Sequence, residues 1–194
     1  MIVTTAAFGS YQLTLIARAN EHVSKHSQPM LVEANWLLPG NAWHHSKSVP
    51  KLKKYYGLTD EDFTFIENNS LSMNDPAQAL FIEATFQLRD YAAGKRKTLD
   101  LPLDFSIGTE LQQRVWDALQ GIEYGETISY ATLAQRVDSP KGFRAVAQAN
   151  GKNPFSIIVP CHRVIASDGK LGGYTGGLDK KEYLLALEGV SCKV

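Results

Sequence analysis

The sequence is short of cysteine, has no net charge and contains no long apolar run. Only Cys161 and Cys192 occur among 194 residues, and in an intracellular setting we expect neither to form a stable disulfide. No secretory segment is visible and no run is long enough to span a bilayer, which predicts a cytoplasmic protein, or a nuclear one in a eukaryote, with no membrane partner. The 20 basic and 20 acidic side chains cancel, so overall charge does not favour nucleic-acid binding.

The most informative segment runs from Pro160 to Ile165 and places Cys161 beside His162 and Arg163. An imidazole can take the proton of a thiol and a cation can stabilise the thiolate, so the pattern predicts a nucleophilic cysteine. The apolar residues 155–159 before it predict a short buried strand that ends at Pro160. Adjacent side chains of a strand face opposite ways, so His162 would act on Cys161 through a water.

Spacing excludes two other kinds of cysteine site, and other interpretations remain open. Val164 excludes a Cys-x-x-Cys redox pair, and Ser167 stands where a phosphatase-type Cys-x5-Arg loop needs arginine. An inert buried thiol remains the alternative for Cys161, and a passive thiol is the expectation for Cys192, which has only Lys193 as a charged neighbour. A thiol hydrolase would use the same Cys161 and His162 but would also need oxyanion donors.

A series of short motifs follows in order from Gly125 to Gly189. They are GETISY at 125–130, RAV at 144–146, GKNP at 151–154, PCHRVI at 160–165, GGYTGGL at 172–178 and EG at 188–189. Together they resemble the O6-alkylguanine-DNA alkyltransferases over the whole C-terminal half. The resemblance implies DNA repair by transfer of an alkyl group from O6-alkylguanine to Cys161, with O4-alkylthymine left open as a second substrate. It also implies a single irreversible turnover, because nothing activates water against the thioether, and it implies no cofactor.

The same resemblance implies roles for individual residues. His162 acts as base and is oriented by Glu188, while Asn153 holds the active-site turn. Tyr130 lines the pocket and assists the leaving base, with Lys181 as a helper. The lip at 172–177 would stack Tyr174 on the base and direct the Thr175 hydroxyl toward O6, where relatives often have serine. Substrate and DNA binding is further assigned to Arg144, which enters the stack in place of the flipped base, and to Ala145, Arg163 and Val164.

Simpler interpretations stand beside these roles. Arg144 could form a surface salt bridge, Tyr130 could be a buried aromatic at a helix start, and Glu188 could be a solvated carboxylate. A carboxylate at the C-terminal end of a helix is electrostatically unfavourable, and this favours a partner such as His162. A damage sensor without alkyl transfer is a further class with this fold, but such proteins lack the cysteine that is present here at position 161.

The chain divides near residues 104–108 into two predicted domains, and 44% hydrophobic residues suffice for two cores. Residues 1–104 predict a small, structural α/β domain with strands at 11–15 and 62–65. A helix follows, with Asp75 as N-cap, Gln78 closing a capping box, Gly94 as C-cap, and one apolar face: Ala77, Leu80, Phe81, Ala84, Leu88 and Tyr91. We therefore predict an α/β (α+β) fold of sheet plus helix, followed by a mainly helical domain.

Residues 105–194 are predicted to hold the DNA-binding and alkyl-transfer machinery. A capping box at Thr109–Gln112 opens one helix, with a predicted apolar face of Leu111, Val115, Ala118, Leu119 and Ile122. Ser129 caps a second helix through Val137, and Ser139-Pro140 begins a third, which together predict a helix-turn-helix. Residues 136–170 contain six basic and two acidic side chains. This local excess of positive charge favours double-stranded DNA as the partner. We expect a monomer without an obligate protein partner.

Two features of the first half have weaker functional signals. The lysine-rich stretch Lys47–Tyr56 predicts a mobile surface loop that could touch nucleic acid. His22 and His26 have the spacing of helical metal ligands, and His44 and His45 could add to them. No cysteine or carboxylate completes a pattern, so we predict no metal site.

Overall fold

The computed structural model describes residues 1–18, 28–46 and 48–191. Two compact units divide the chain into Met1–Ile107 and Gly108–Val194. The sequence places this boundary three residues earlier, after residue 104. Within the described ranges, no helix has the length and apolar character needed to cross a membrane.

The first unit is built on a four-stranded sheet. Its strands are β1 (Ile2–Phe8), β2 (Tyr11–Arg18), β3 (Met30–Leu37) and β4 (Thr64–Phe65), and the order across the sheet is β3-β2-β1-β4. β1 pairs antiparallel with β2 through a turn at Gly9, whose φ of 56° suits glycine, and β4 runs parallel to β1. The strand predicted at 11–15 is confirmed, whereas only the last two residues of 62–65 belong to a strand.

Among its described residues this unit also contains two α-helices, α1 (Val49–Tyr56) and α2 (Pro76–Ala92). Asp75 caps α2 by accepting from the backbone N–H groups of Ala77 and Gln78, and the predicted apolar face is buried. The predicted capping box is wrong because the Gln78 side chain instead accepts from the Ser72 N–H at 2.9 Å. Gly94 follows the observed C-cap, Ala93, with a left-handed φ of 68°.

Helix α1 contradicts the surface loop predicted for Lys47–Tyr56. Pro50 lies in its first turn, where a missing N–H costs nothing, and Gly57 ends it with a φ of 68°. Val49 and Leu52 are buried, so the lysines occupy the opposite face of an amphipathic helix. Lys47 itself lies outside the described residues.

The second unit is mainly helical. Its helices are α3 (Glu110–Gln120), α4 (Tyr130–Arg136), α5 (Phe143–Gly151) and α6 (Leu178–Leu187), and its two short strands, β5 (Ile128–Ser129) and β6 (Val164–Ile165), pair in parallel. With the sheet-containing first unit, this arrangement confirms the predicted fold class. The capping box of α3 and the Ser129 cap of α4 are also confirmed.

Two helix predictions in this unit need correction. The third helix begins at Phe143 rather than at Ser139-Pro140, because residues 139–142 form a turn in which the Gly142 N–H donates to the Ser139 carbonyl. The buried face of α3 includes Gln112 and Trp116, and the Trp116 indole donates to the Ala149 carbonyl at 2.9 Å. A hydrogen bond to a residue 33 positions away leaves no local sequence pattern.

The strand predicted at 155–159 is a buried turn. The Val159 N–H donates to the Phe155 carbonyl at 2.9 Å, and Ile157 adopts a φ of 72°, which is uncommon for a β-branched residue. Every residue from Phe155 to Val159 is buried, so their apolar character reflects the core rather than an extended backbone. Pro160 and Cys161 follow directly after this turn.

Candidate active site

Cys161 lies at the start of a 3-10 turn, Cys161–Arg163, that connects the buried turn to β6. Its N–H donates to the Val159 carbonyl at 2.8 Å, and only 6% of the residue is exposed. Because the backbone here is a tight helical turn, the alternation of side chains that the sequence predicted does not apply. The thiol therefore points into the unit rather than across a strand.

Opposing influences act on the Cys161 thiol. Burial raises the pKa of Cys161, whereas a hydrogen bond from the Asn153 side chain, the charge of Lys181 and a hydrogen bond from Tyr174 lower it. The last three groups all favour the thiolate. The predicted neighbours Asn153, Tyr174 and Lys181 are thus brought together around the sulfur.

His162 and Glu188 form a buried pair, as predicted. Nε2 of His162 lies 2.6 Å from Oε1 of Glu188, and both side chains are fully shielded from solvent. Burial lowers the pKa of His162, although the Glu188 carboxylate opposes this effect. A neutral imidazole follows at neutral pH, with its proton on Nε2 facing the carboxylate.

The other ring nitrogen of His162 is left as an acceptor. Nδ1 is buried and has no hydrogen-bond partner among the residues that the structure describes. Buried polar atoms normally have partners, so an unpaired nitrogen on the residue that follows Cys161 is suited to proton transfer.

Glu188 is the C-cap residue of α6, and four groups hold its carboxylate. Oε1 accepts from His162 and from Nη2 of Arg163 at 3.2 Å, while Oε2 accepts from Nε of Arg163 at 2.9 Å and from the Gly125 N–H at 3.0 Å. Burial alone would raise the pKa of Glu188, but these donors lower it to about 2. The alternative of a solvated carboxylate is therefore wrong.

Arg163 does not face solvent, contrary to its assignment to the DNA-binding surface. It is buried against Glu188, and its Nη1 also donates to the Ile122 carbonyl. A guanidinium can be buried when a carboxylate neutralises it and its donors are satisfied. The basic count around the cysteine therefore overstates the charge available to DNA.

Lys181 is likewise interior, although the sequence assigned it to the substrate. Its Nζ donates to the carbonyls of Val164 at 2.7 Å, Gly173 at 3.3 Å and Leu171. Three backbone acceptors anchor the glycine-rich lip to β6 through this one ammonium. Its charge acts on Cys161, as described above, rather than as a free helper for the leaving base.

Asn153 holds the turn before the cysteine, which fits the predicted role. Its Oδ1 accepts from the Phe155 N–H at 2.9 Å, and its Nδ2 donates to the carbonyls of Phe155 and Val159 at 3.2 and 2.8 Å. The neighbouring Asn150, which sequence reasoning missed, donates to the Cys161 carbonyl at 3.5 Å. The sequence does not reveal this contact, because Asn150 and Cys161 are 11 residues apart and come together only in the folded chain.

The glycine-rich segment 172–177 lies beside Tyr130. The Tyr130 hydroxyl donates to the Gly173 carbonyl at 3.3 Å, and a Cβ at Gly172 would approach the Tyr130 ring to 3.2 Å. Burial raises the pKa of Tyr130, and the charge of Cys161 raises it further, so the phenol and the sulfur interact electrostatically. Tyr130 is therefore a wall of the cysteine site rather than only a helix-start aromatic.

The remaining predicted residues of the pocket occupy different environments. Tyr174 is half-buried, whereas Thr175 is exposed and donates its hydroxyl to the Gly151 carbonyl at 2.6 Å. Val164 is fully buried in β6. The Thr175 hydroxyl is thus bound to the end of α5 rather than directed into the pocket.

Arg144 and Ala145 are exposed on the first turn of α5. The Arg144 guanidinium lies 5.8 Å from the centre of the Phe143 ring, and Phe143 is itself half-exposed. Within the described part of the chain, Arg144 forms no ion pair, which disfavours the surface salt bridge. Phe143 was missed, although an exposed aromatic before an arginine was a readable signal.

No group of three potential metal-ligating side chains occurs within residues 1–18, 28–46 and 48–191. His44 and His45 lie in an exposed turn with their ring centres 4.4 Å apart. His22 and His26 lie outside the described residues, as does Cys192. Among the described residues, we therefore take the arrangement around Cys161 as the candidate active site.

Comparison with known proteins agrees with this geometry. Residues 110–190 match the sequence profile of the 6-O-methylguanine DNA methyltransferase DNA-binding domain. A methylated-DNA–protein-cysteine methyltransferase of Methanosarcina acetivorans is 53% identical over 115 residues, which are 59% of this chain and 72% of that protein. A Methanosarcina mazei protein of the same name is 48% identical over 71% of this chain and 84% of its own length.

A solved structure extends the similarity to nearly the whole chain. The Mycobacterium tuberculosis OGT in complex with DNA is 34% identical, covers 97% of this chain and 92% of its own, and superposes with a TM-score of 0.68. The similarity thus includes the sheet-containing first unit, where short motifs were scarce. The chain belongs to the methylated-DNA–protein-cysteine methyltransferase family, whose members are transferases of DNA repair.

Proposed function

We propose that the protein repairs double-stranded DNA by moving an alkyl group from O6-alkylguanine to the sulfur of Cys161. The observation that carries this proposal is a buried cysteine followed by His162, whose Nε2 contacts Glu188 and whose Nδ1 has no partner in the described structure. O4-alkylthymine is a second substrate to be tested alongside.

The proton of the thiol passes to His162. The neutral imidazole directs its Nε2–H to the carboxylate, so Nδ1 carries the lone pair that accepts the Cys161 proton, directly or through one water. The imidazolium that forms is stabilised by Glu188, in the manner of a general base paired with a buried carboxylate.

The thiolate then displaces the base in a single step. The Sγ–C bond forms as the C–O6 bond breaks, and the electron pair of that bond leaves with the guanine. We assign protonation of a ring nitrogen of the leaving guanine to the Tyr130 hydroxyl, which gives up its own proton. Tyr130 regains a proton from solvent, and the His162 imidazolium releases the former thiol proton to solvent, so charge and protons balance. The products are an S-alkylcysteine and an unmodified guanine, so no cofactor enters the balance.

Stabilisation of the thiolate comes from the groups around the sulfur. Interactions with the Asn153 and Tyr174 side chains and the positive charge of Lys181 favour the thiolate, and all of them oppose the effect of burial on the Cys161 pKa. Asn153 also fixes the turn that positions the cysteine, so its loss would affect geometry and charge together.

We assign the pocket for the base to the space between Tyr130 and the lip. We assign to Tyr174 the stacking on the base and to Val164, buried in β6, the support of the floor. Since the Thr175 hydroxyl now donates to Gly151, its use toward O6 requires that bond to break when the base enters. The pocket therefore opens by a movement of the lip away from the end of α5.

Contact with DNA is assigned to the exposed end of α5. The O6 position is stacked inside a duplex, so the nucleotide must be extruded before the sulfur can reach its alkyl group. Arg144 is exposed and has no ion-pair partner among residues 1–18, 28–46 and 48–191, which suits a side chain that enters the vacated stack. Ala145 beside it allows the helix backbone to approach the groove.

The second unit thus holds the DNA-binding and transfer functions, and we assign the first unit a structural role. We further propose that the protein acts as a monomer in the cytoplasm, or in the nucleus of a eukaryote. It acts once, because no described group is placed to activate water against the S-alkyl carbon.

Intact-mass measurement tests the proposal. Incubation with duplex DNA that carries one O6-methylguanine should add one methyl group to the protein, with no further addition in excess DNA. An unchanged protein mass with all lesions repaired would indicate turnover and would overturn single-step transfer. An unchanged mass with unrepaired DNA would overturn the function, and acyl-ester hydrolysis by the same protein would favour a thiol hydrolase.

A further inference from the structure

The Glu188 carboxylate is enclosed by donors that come from two segments other than its own helix. His162 and Arg163 belong to the cysteine turn, while Gly125 belongs to the loop after α3. Both oxygens accept two hydrogen bonds each. The orientation of the oxygen that faces His162 is therefore set largely by groups other than His162.

Arg163 supplies two of these hydrogen bonds in a fork. Its Nε contacts Oε2 at 2.9 Å and its Nη2 contacts Oε1 at 3.2 Å, while Nη1 donates to the Ile122 carbonyl. The guanidinium carbon lies 5.9 Å from the centre of the Tyr124 ring, and the Tyr124 hydroxyl donates to the Leu187 carbonyl at 2.8 Å. The ion pair between Arg163 and Glu188 therefore packs against the 122–125 loop, and Tyr124 joins this loop to the end of α6.

Glycine at position 125 is required by this arrangement. Its φ is 81°, and a Cβ there would lie 3.1 Å from the Glu188 carbonyl oxygen. The close approach brings the Gly125 N–H within 3.0 Å of Oε2. The loop therefore packs directly on the backbone of the residue whose side chain it binds.

The positive charge of Arg163 also compensates the negative charge of Glu188. Glu188 ends a helix, where the partial negative charge of free carbonyls disfavours a carboxylate, and a neutral His162 does not compensate it. A guanidinium in the fork supplies that compensation and fixes both oxygens in one plane. A lysine at this position would supply the charge without the fork.

We propose that Arg163 is a positioning residue of the alkyl-transfer reaction, holding the Glu188 carboxylate in the orientation that directs His162 toward Cys161. The inference rests on the proposed function for its kinetic consequence only. It replaces the DNA-contact role that the sequence assigned to Arg163.

The experiment compares Arg163→Lys with Glu188→Gln and with the double variant. Arg163→Lys keeps the charge and loses the fork, and we expect transfer from methylated duplex to slow about tenfold, as for other residues that orient a functional imidazole. The double variant should be no slower than Glu188→Gln alone, because Arg163 acts through Glu188. Arg114→Lys, the same change at an exposed position of α3, is the matched control and should leave the rate unchanged.

A spectroscopic readout separates positioning from general destabilisation. The Nε2 proton of His162 should resonate far downfield and exchange slowly in the wild type, and both features should weaken in Arg163→Lys but persist in Arg114→Lys. This readout needs no DNA. It therefore tests Arg163 even if the wild type fails to accept a methyl group, in which case the proposed function alone is lost.

Two results would overturn the inference. One is an Arg163→Lys protein with the wild-type rate and an unchanged His162 resonance. The other is an equal slowing by Arg163→Lys with and without Glu188→Gln, since this would show that Arg163 acts independently of the carboxylate. If the lysine variant does not fold, the wild type decides: rapid solvent exchange of the Arg163 Nε–H beside a protected His162 Nε2–H would contradict a shared buried carboxylate.

Discussion

The interior and the exposed face of the second unit use similar residues in opposite ways. Arg163 is buried in a fork on Glu188, whereas Arg144, on α5, has no ion-pair partner among the described residues. Both arginines belong to short motifs of the same resemblance, and both were assigned to DNA in the sequence. Only the folded chain separates an arginine that organises the reacting groups from one that is available to DNA.

This division has a functional meaning. Residues of the interior should influence the reaction of any alkylated base, free or in DNA. Residues of the exposed face should matter only when a nucleotide must be taken out of a duplex. Variants of the two regions therefore differ in their pattern across substrates as well as in their rates.

The largest effect is expected for the sulfur itself. Cys161→Ala should abolish transfer to both methylated duplex and free O6-benzylguanine, because the nucleophile is lost, while DNA binding is retained by the exposed face. Rates measured by loss of alkylated base, with binding measured by fluorescence anisotropy, check this. Cys192→Ser serves as the control and should keep full activity; a loss of DNA binding in Cys161→Ala would break the separation.

The next effect concerns the buried pair. Glu188→Gln or His162→Gln should slow transfer by about a hundredfold on both substrates, since acid–base assistance to the thiol is removed. Each change should raise the apparent pKa of the thiol, and the double variant should be far from additive. Iodoacetamide alkylation followed against pH measures this, and profiles that match the wild type in both single variants would reject the pair.

A change at Arg144 should affect transfer from duplex DNA and not transfer from the free base. Arg144→Ala should slow transfer from paired duplex by roughly tenfold to a hundredfold, because a few kcal/mol of unstacking is left uncompensated, yet barely affect free O6-benzylguanine. The defect should persist at saturating DNA and shrink when the lesion lies opposite an abasic site. A normal saturated rate on duplex would identify Arg144 as a phosphate anchor, with a salt slope reduced by about one.

The lip should give a smaller change. Thr175→Val keeps the shape but removes the hydroxyl, and we expect transfer to slow by roughly the few-fold that one net hydrogen bond of about 1 kcal/mol represents. Thr175→Ser retains the donor and should stay near the wild-type rate. Because the lip belongs to the pocket, Thr175→Val should reduce the transfer rate equally on the free base and on duplex DNA. A reduced rate on duplex alone would show that Thr175 acts in DNA binding, like the residues of the exposed face.

The last effect concerns stability in acid and not the transfer rate. The folded pKa of Glu188, about 2, lies below its ordinary value of 4.5, so the unfolded chain takes up a proton first as pH falls. The stabilisation is complete above pH 4.5 and is lost between about 4.5 and about 2. Glu188→Gln should flatten the free energy of unfolding across this window in urea titrations; an unchanged slope would show that the carboxylate is not held by its donors.

Local signals made part of the fold predictable from the sequence. The Asp75 cap, the capping box at Thr109 and the Ser129 cap are interactions within three residues, so they are visible in the sequence itself. The resemblance located Cys161, His162 and Glu188 because its motifs are short and ordered. These are the elements in which local chemistry and final structure agree.

The errors have more than one physical cause, and for the two buried cations it is long-range satisfaction of polar groups. Arg163 and Lys181 look like surface cations, but a carboxylate 25 residues away and three backbone carbonyls make their burial tolerable. The buried turn at 155–159 looks like a strand because burial, rather than extension, selects its apolar residues. Helix α1 was hidden because its lysines outnumber the two buried residues of its inner face.

The location of the alkyl group tests the central claim most directly. After reaction with an excess of duplex carrying isotopically labelled O6-methylguanine, peptide mapping should find the label only on the sulfur of Cys161. We expect one labelled peptide, which contains Cys161, and an unlabelled Cys192. A label on Cys192, or on any residue other than Cys161, would contradict the account.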